Sequence, residues 1–301
     1  MHPPPARTIV VPAAPRRAVA ALRLHRAGAS VAALWLAMAP AHAAERALLT
    51  LLDGEATVVD GSARSAAALG QALAPAALVE TGSGSAFVRI ELPDQTAIDL
   101  GPATKAMVGP PGLPARGGQA PVLYLLQGWA KVTAPEKKAA GGVVTPALEL
   151  MPFQGVAVLQ IERAQRHVFA ESGTLDLAER PGGKRLNAAP GSFYTAGEGV
   201  QPRAAPAWLA TVPRPFRDRL PLRAAALKDR GVTPPPLPAP GYAALADWLS
   251  AEPAIRRPFP QRFAALARDP AFRQQLQAHL PSHPEWGTVL NPPSPKGEVP
   301  R

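Results

Sequence analysis

Few residues of this chain are suited to covalent or metal chemistry. His279 and His283 stand four apart, the spacing at which two imidazoles on one helical face hold a metal. Pro281 between them breaks the helix that would align the rings, and no glutamate follows His279 as in a metalloprotease. Both read as surface residues at a helix end. His167 falls in a strand candidate, as a solvated or packed residue rather than a base. Gly82-Ser83-Gly84-Ser85-Ala86 lacks the frame of a serine nucleophile elbow and reads as a flexible turn. Gly117-Gly118 and Gly141-Gly142 match neither a dinucleotide fingerprint nor a P-loop. Asp94 and Asp99 flank a turn, where carboxylates about 5–10 Å apart could work as an acid/base pair on a glycan. A solvated turn and strand face is the plainer reading of them. The chain has no cysteine, which excludes disulfides, thiolate zinc sites, iron–sulfur clusters and a cysteine nucleophile. These residues point to no catalytic site, no metal and no cofactor, and the chain is read as a non-enzyme.

Residues fit for binding are easier to find. Tyr124 and Trp129 flank Gly128, and Lys131 follows. If both rings project from one sheet face they can stack on a sugar or clamp a peptide; the alternative is a buried aromatic pair in the core. Arg256, Arg257, Arg262, Arg268 and Arg273 border apolar stripes near the C-terminus. They form either a solvated helix face or a basic face for an anionic partner, such as phosphorylated lipid heads, wall polymer or an acidic protein. No nucleic-acid recognition motif is present.

These residues have to be positioned by short strands and a few helices. From Ala47 the pattern is apolar or alternating runs broken by turns. Ala47–Leu52 meets Asp53-Gly54, and Glu55–Val59 meets Asp60-Gly61, a turn signal because glycine accepts positive φ freely. In 86–92, Val88, Ile90 and Leu92 face one way while Arg89 and Glu91 face the other. Further strands are expected at 96–100, 104–108, 122–126, 129–133, 147–151, 156–161, 166–170 and 174–178. Spacing of about 8–12 residues suits a sandwich, barrel or solenoid. The Gly/Pro-rich run 109–121 is a loop open to contacts.

Val79-Glu80-Thr81-Gly82, Ser85–Leu92, Pro93-Asp94 and Ile98-Asp99-Leu100-Gly101-Pro102 resemble the opening of the FecR-like domain family. Leu123–Val132 is similar to its later strand–glycine–strand element, and Val144-Thr145-Pro146, Gly155–Ile161 and Val168–Leu177 to its closing portion. The resemblance covers roughly 47–200, with Gln95 where the family usually has glycine. It implies a periplasmic, solenoid-like β module of the kind found in regulators that relay outer-membrane signals to a sigma factor. This chain lacks the spanning helix and cytoplasmic domain such regulators use, so the resemblance implies a free-standing, exported use of the module.

The chain's ends and charge fit that expectation. The first 26 residues hold five arginines and no acid, Ala27–Ala39 carries no charge, and Ala41-His42-Ala43 is an A-x-A site. This is the pattern of a secretory signal peptide, cut between Ala43 and Ala44, too short to span a membrane. The formal net charge of the 301 residues is +10. Residues 44–205 are close to neutral; residues 206–301 are strongly basic and hold half of the 38 prolines. The expected layout is a signal peptide (1–43), a FecR-like β domain (44–205), a Pro-rich spacer (206–240), a small helical module (241–291) and a disordered tail (292–301). The fold class is mainly β, a short-strand solenoid or sandwich followed by that small module. The expected protein is periplasmic, without a transmembrane span after cleavage. It binds an envelope protein or an anionic or glycan wall component, and does so as a scaffold or signal relay.

Overall fold

The computed structural model describes residues 46–84 and 86–291. The expected cleavage point at Ala43 and Ala44 and the tail 292–301 lie outside them. The chain forms β1 (Ala47–Asp53), β2 (Ala56–Asp60), β3 (Ala63–Ala66), β4 (Ala72–Leu73), β5 (Leu78–Thr81), β6 (Phe87–Glu91), β7 (Ala97–Leu100), β8 (Lys105–Val108) and β9 (Leu123–Thr133). There follow β10 (Val143–Val144), β11 (Leu148–Leu150), β12 (Val156–Ile161), β13 (Arg166–Ser172), β14 (Leu175–Glu179), β15 (Arg185–Ala188), β16 (Phe193–Thr195) and β17 (Gly199–Gln201). The remainder holds α1 (Pro206–Thr211), α2 (Ala224–Leu227), β18 (Pro236–Leu237), α3 (Tyr242–Leu249), α4 (Pro253–Arg256), α5 (Phe259–Arg262), α6 (Pro270–Ala278) and α7 (Gly287–Leu290).

The strands make one continuous sheet that curls over on itself, a half-barrel with two stretches of strands. The first runs β4-β1-β6-β7-β9-β12-β13-β16-β17. The second runs β18-β3-β2-β5-β8-β9-β10-β11-β14-β15. Strand β9 belongs to both, its first half to the second stretch and its last half to the first. Pairing is antiparallel except between β9 and β10. A solenoid stacks parallel strands from coil to coil; that arrangement is not found among the described residues, and the curled antiparallel sheet replaces it.

Strand alternation explains the packing. Val88, Ile90, Ile98, Leu100, Ala130, Val132 and Leu159 of the first stretch meet Val58, Val79, Leu123, Leu125, Val143 and Leu150 of the second in one buried core. The opposite faces are covered too. Phe87, Trp129, Val158 and Phe193 on the outside of the first stretch are buried by Trp208 of α1 and by Phe216. Val59, Leu78, Met107, Tyr124 and Val144 on the outside of the second stretch are buried by the helices from α3 onward. Each large side chain enclosed there contributes on the order of 1.5–3 kcal/mol.

The spacer expected over 206–240 is therefore a packed strap. It crosses the first stretch through Trp208 and Phe216, and its end adds β18 to the edge at β3. Proline supplies no ladder donor in the middle of a sheet, so an edge position is where Pro236 fits. The helical module lies on the β region rather than standing apart. Asp269 caps α6, its carboxylate accepting from Phe272 N at 2.8 Å, with Pro270 at the first helical position.

Candidate functional site

An open cleft of about 810 Å³ lies where β9 passes from one stretch to the other. Register explains it. Leu125 and Gln127 pair with Ala106 and Lys105 of β8, and Leu126 between them is the extra residue of a bulge. Gly128 follows at φ +95°, and a Cβ there would collide with the backbone of Ala103 and Thr104. The glycine lets the chain turn tightly against that loop, and Thr104 Oγ1 accepts from Trp129 N at 2.9 Å to close the bend. On the other side, β10 leaves β9 after Tyr124 and β12 joins it only at Gly128. The cleft fills the notch between them. Its walls are Leu126–Trp129, Pro146-Ala147 after β10, Ile161–Arg163 and Arg166 at the β12–β13 turn, and Asp247 and Ser250 from α3.

The charges along the walls divide into paired and free. Arg180 is bidentate to Glu252 at 2.7 and 2.8 Å and also donates to Thr145 O at 2.8 Å. Asp247 holds Lys105 at 2.5 Å. Glu162 accepts from Gln160 Nε2 at 3.0 Å. Arg163 and Arg166 belong to none of the ion pairs formed among the described residues. With Glu162 set against two free guanidiniums, the notch is left mildly positive. Its walls carry no histidine, and Ser250 has no base beside it there. The arrangement suits holding a polar or anionic chain.

The residues singled out from the sequence go to different places. Tyr124 is fully buried on the outside of the second stretch, 6.5 Å ring to ring from Trp248. Burial first, then the nearby Glu252 carboxylate, push its hydroxyl well above the ordinary tyrosine value. Trp129 lies on the outside of the first stretch, 9 % exposed, 5.7 Å ring to ring from Trp208, and is among the residues that line the cleft. The bulge and Gly128 send the two rings to opposite layers, so they form no joint platform. Lys131 is buried under the strap, bound to Phe216 O and, at 2.9 Å, to Glu171.

Of the arginines, Arg256 is tied to Glu285 at 2.9 Å. Arg262 donates to Val59 O, Gly61 O and Ala76 O at 2.7–2.9 Å and lies over the Phe263 ring. Burial lowers its guanidinium to about 10. Both arginines are clamps that fasten helices, and Arg273 likewise donates to Leu290 O; Arg257 and Arg268 stay exposed without an ion pair among the described residues. His279 and His283 each turn a ring nitrogen to a main-chain carbonyl, of Gln275 and Leu276, and both pack on Tyr242. Asp94 caps its own turn through Thr96 N, and Asp99 is locked to Arg89 beneath the strap.

Arg163, Arg166, Gln127 and Ser250 carry no motif. The one trace in the sequence is the polar run Glu162–Arg166 between two apolar strands. Among the described residues no helix is long and apolar enough to cross a membrane, and no group of three metal-ligating side chains forms.

No protein-family model matches the chain, and no curated protein matches it. Two crystal structures of a candidate anti-sigma factor from Parabacteroides distasonis ATCC 8503 are similar in part. One is 16% identical with a TM-score of 0.34, over 44% of this chain and 64% of the other. The second is 14% identical with a TM-score of 0.33, over 44% of this chain and 65% of the other. The chain spans less than two-thirds of the length of either.

Proposed function

We propose that this is an exported, non-enzymatic protein of a bacterial cell envelope that binds another envelope component at the β9 notch, as a scaffold or signal relay. The observation that carries the reading is the pair of free arginines, Arg163 and Arg166, on an open cleft whose other charges have partners. The basic, apolar, A-x-A order of residues 1–43 supports export, and the lack of cysteine suits a fold held by packing alone. The order of FecR-like motifs over 47–200 supports a place beside envelope signalling, short of a full sigma-factor regulator. A second reading, recognition of cell-wall glycan, draws on Trp129 among the residues that line the same cleft.

The test joins fractionation with sedimentation. The protein is expected in the periplasmic fraction with its leader removed. Co-sedimentation with peptidoglycan sacculi at both low and high salt would favour the glycan reading. Attachment at low salt alone points to the arginines, and no attachment points to a protein partner. Retention in the cytoplasm, or turnover of an envelope polymer, would overturn the proposal.

A further inference from the structure

We infer that the notch takes an extended acidic peptide segment as an added strand, its carboxylate held by Arg163 and Arg166. The inference rests on reading the chain as a binding module and names what it binds. On the side of β9 where β10 has left and β12 has not begun, Leu125, Leu126 and Gln127 have no register partner. The strands on either flank are otherwise continuous, so the sheet is interrupted along one side for three residues. Three residues of strand span about 10 Å, and a peptide of about that length laid beside them meets the main-chain groups left without a partner on that side, those of Leu125 and Gln127 flanking the bulged Leu126. The cleft volume of about 810 Å³ lies within the range of sites that enclose a ligand.

The surroundings decide what kind of segment fits. Pro146 and Ala147 line one wall and Ile161 the other, which suits apolar side chains on alternate residues of a strand. Arg163 and Arg166 stand at the open end of the β12–β13 turn and are free to meet an acid there. Glu162, held by Gln160, opposes only part of that charge. A lysine in the segment would face two guanidiniums with no gain. Sugar is the weaker fit. Trp129 is 9% exposed and packs against Trp208, which leaves little of its ring open, whereas a sugar stacks on an open aromatic face.

The experiment is selection of a displayed heptapeptide library on the purified protein, followed by calorimetry with the selected peptides and with tetragalacturonate. Peptides rich in aspartate or glutamate are expected. Their affinity should fall about tenfold or more in Arg163→Glu/Arg166→Glu and in 0.5 M salt. Arg163→Glu alone, at an exposed residue, should lose about threefold with an unchanged melting curve, which guards against a folding defect in the double variant. N-methylation along a selected peptide should abolish binding at alternate amides only, as an added strand requires. Peptides without acidic enrichment, binding indifferent to both charge reversals, or uniform tolerance of N-methylation would overturn the inference. So would tighter binding of tetragalacturonate, or a selection that yields no peptide. None of those results touches export or the absence of turnover, so the broader reading stands or falls by fractionation and activity assays.

Discussion

Replacing Arg89 by methionine removes one half of an ion pair enclosed between the first stretch of strands and the strap. Arg89 donates through Nε and Nη2 to the two Asp99 oxygens at 2.6 and 2.7 Å, and through Nη1 to Leu220 O at 2.8 Å. The two side chains are 4% and 1% exposed. Burial pushes the Asp99 carboxyl up, against the pull of Arg89 and Lys131. Desolvation likewise works against the Arg89 charge, yet the hydrogen bond and charge of Asp99 outweigh it and raise that guanidinium. The charges therefore hold each other in place rather than adding net stability.

In Arg89→Met the carboxylate stays enclosed with Lys131 attracting it and Glu91 repelling it, and breaking a buried pair from one side costs about 3–5 kcal/mol. The loss should shrink by about 1.4 kcal/mol per pH unit once pH falls below the raised Asp99 value and until it reaches the unfolded value, because over that window the folded chain takes up a proton that the unfolded chain does not. Arg89→Met/Asp99→Leu removes both charges and should lie within about 1–2 kcal/mol of the parent. Urea unfolding of the three proteins at pH 7.5 and pH 5 measures all of this, with the slope checked for a common unfolded state. A single variant that loses under 1 kcal/mol, or a double variant worse than the single, would refute the account of a mutually dependent buried pair.

Trp248→Ala removes a fully buried ring and its 2.8 Å bond to Glu80, and should cost about 3–5 kcal/mol, with the segment after residue 240 cut early in limited proteolysis. His283 is fully buried, its Nε2 facing Leu276 O at 3.2 Å and its Nδ1 without a partner, so a second ring proton would have nowhere to bond. Burial, with His279 and Arg256 adding and Leu276 and Glu285 opposing, lowers its proton affinity; burial also lowers that of His167. Stability should hold above about pH 6.5 and decline below it as the unfolded chain takes up the protons, and His283→Gln should flatten that decline in thermal melts. Gln95 sits at φ +74°, so Gln95→Gly relieves left-handed strain and should stabilise by about 0.5–1 kcal/mol in urea.

Local rules made much of the fold legible. Asp53-Gly54 and Asp60-Gly61 are turns with positive-φ glycines, and Val88 and Ile90 face the core opposite Arg89 and Glu91 as alternation demands. Asp269-Pro270 opens α6 because the cap and the fixed φ act within one turn of chain. The sequence alone therefore determined a mainly β protein with a small C-terminal helical part. Alternation states which side chains share a face, but it does not say whether a face meets water. Asp99 read as solvated and Lys131 as part of a binding face; with Arg89 they are buried because Phe216 and Leu220 arrive from 85 and 131 residues further along the chain. Arg256 and Arg262 read as a basic surface, yet long side chains on short helices fasten to whatever carbonyl or carboxylate the docking brings near. The notch is the extreme case. It is made by two strands failing to meet along β9, a matter of register between segments distant in sequence, and only the tertiary structure could bring Arg163 and Arg166 to its edge.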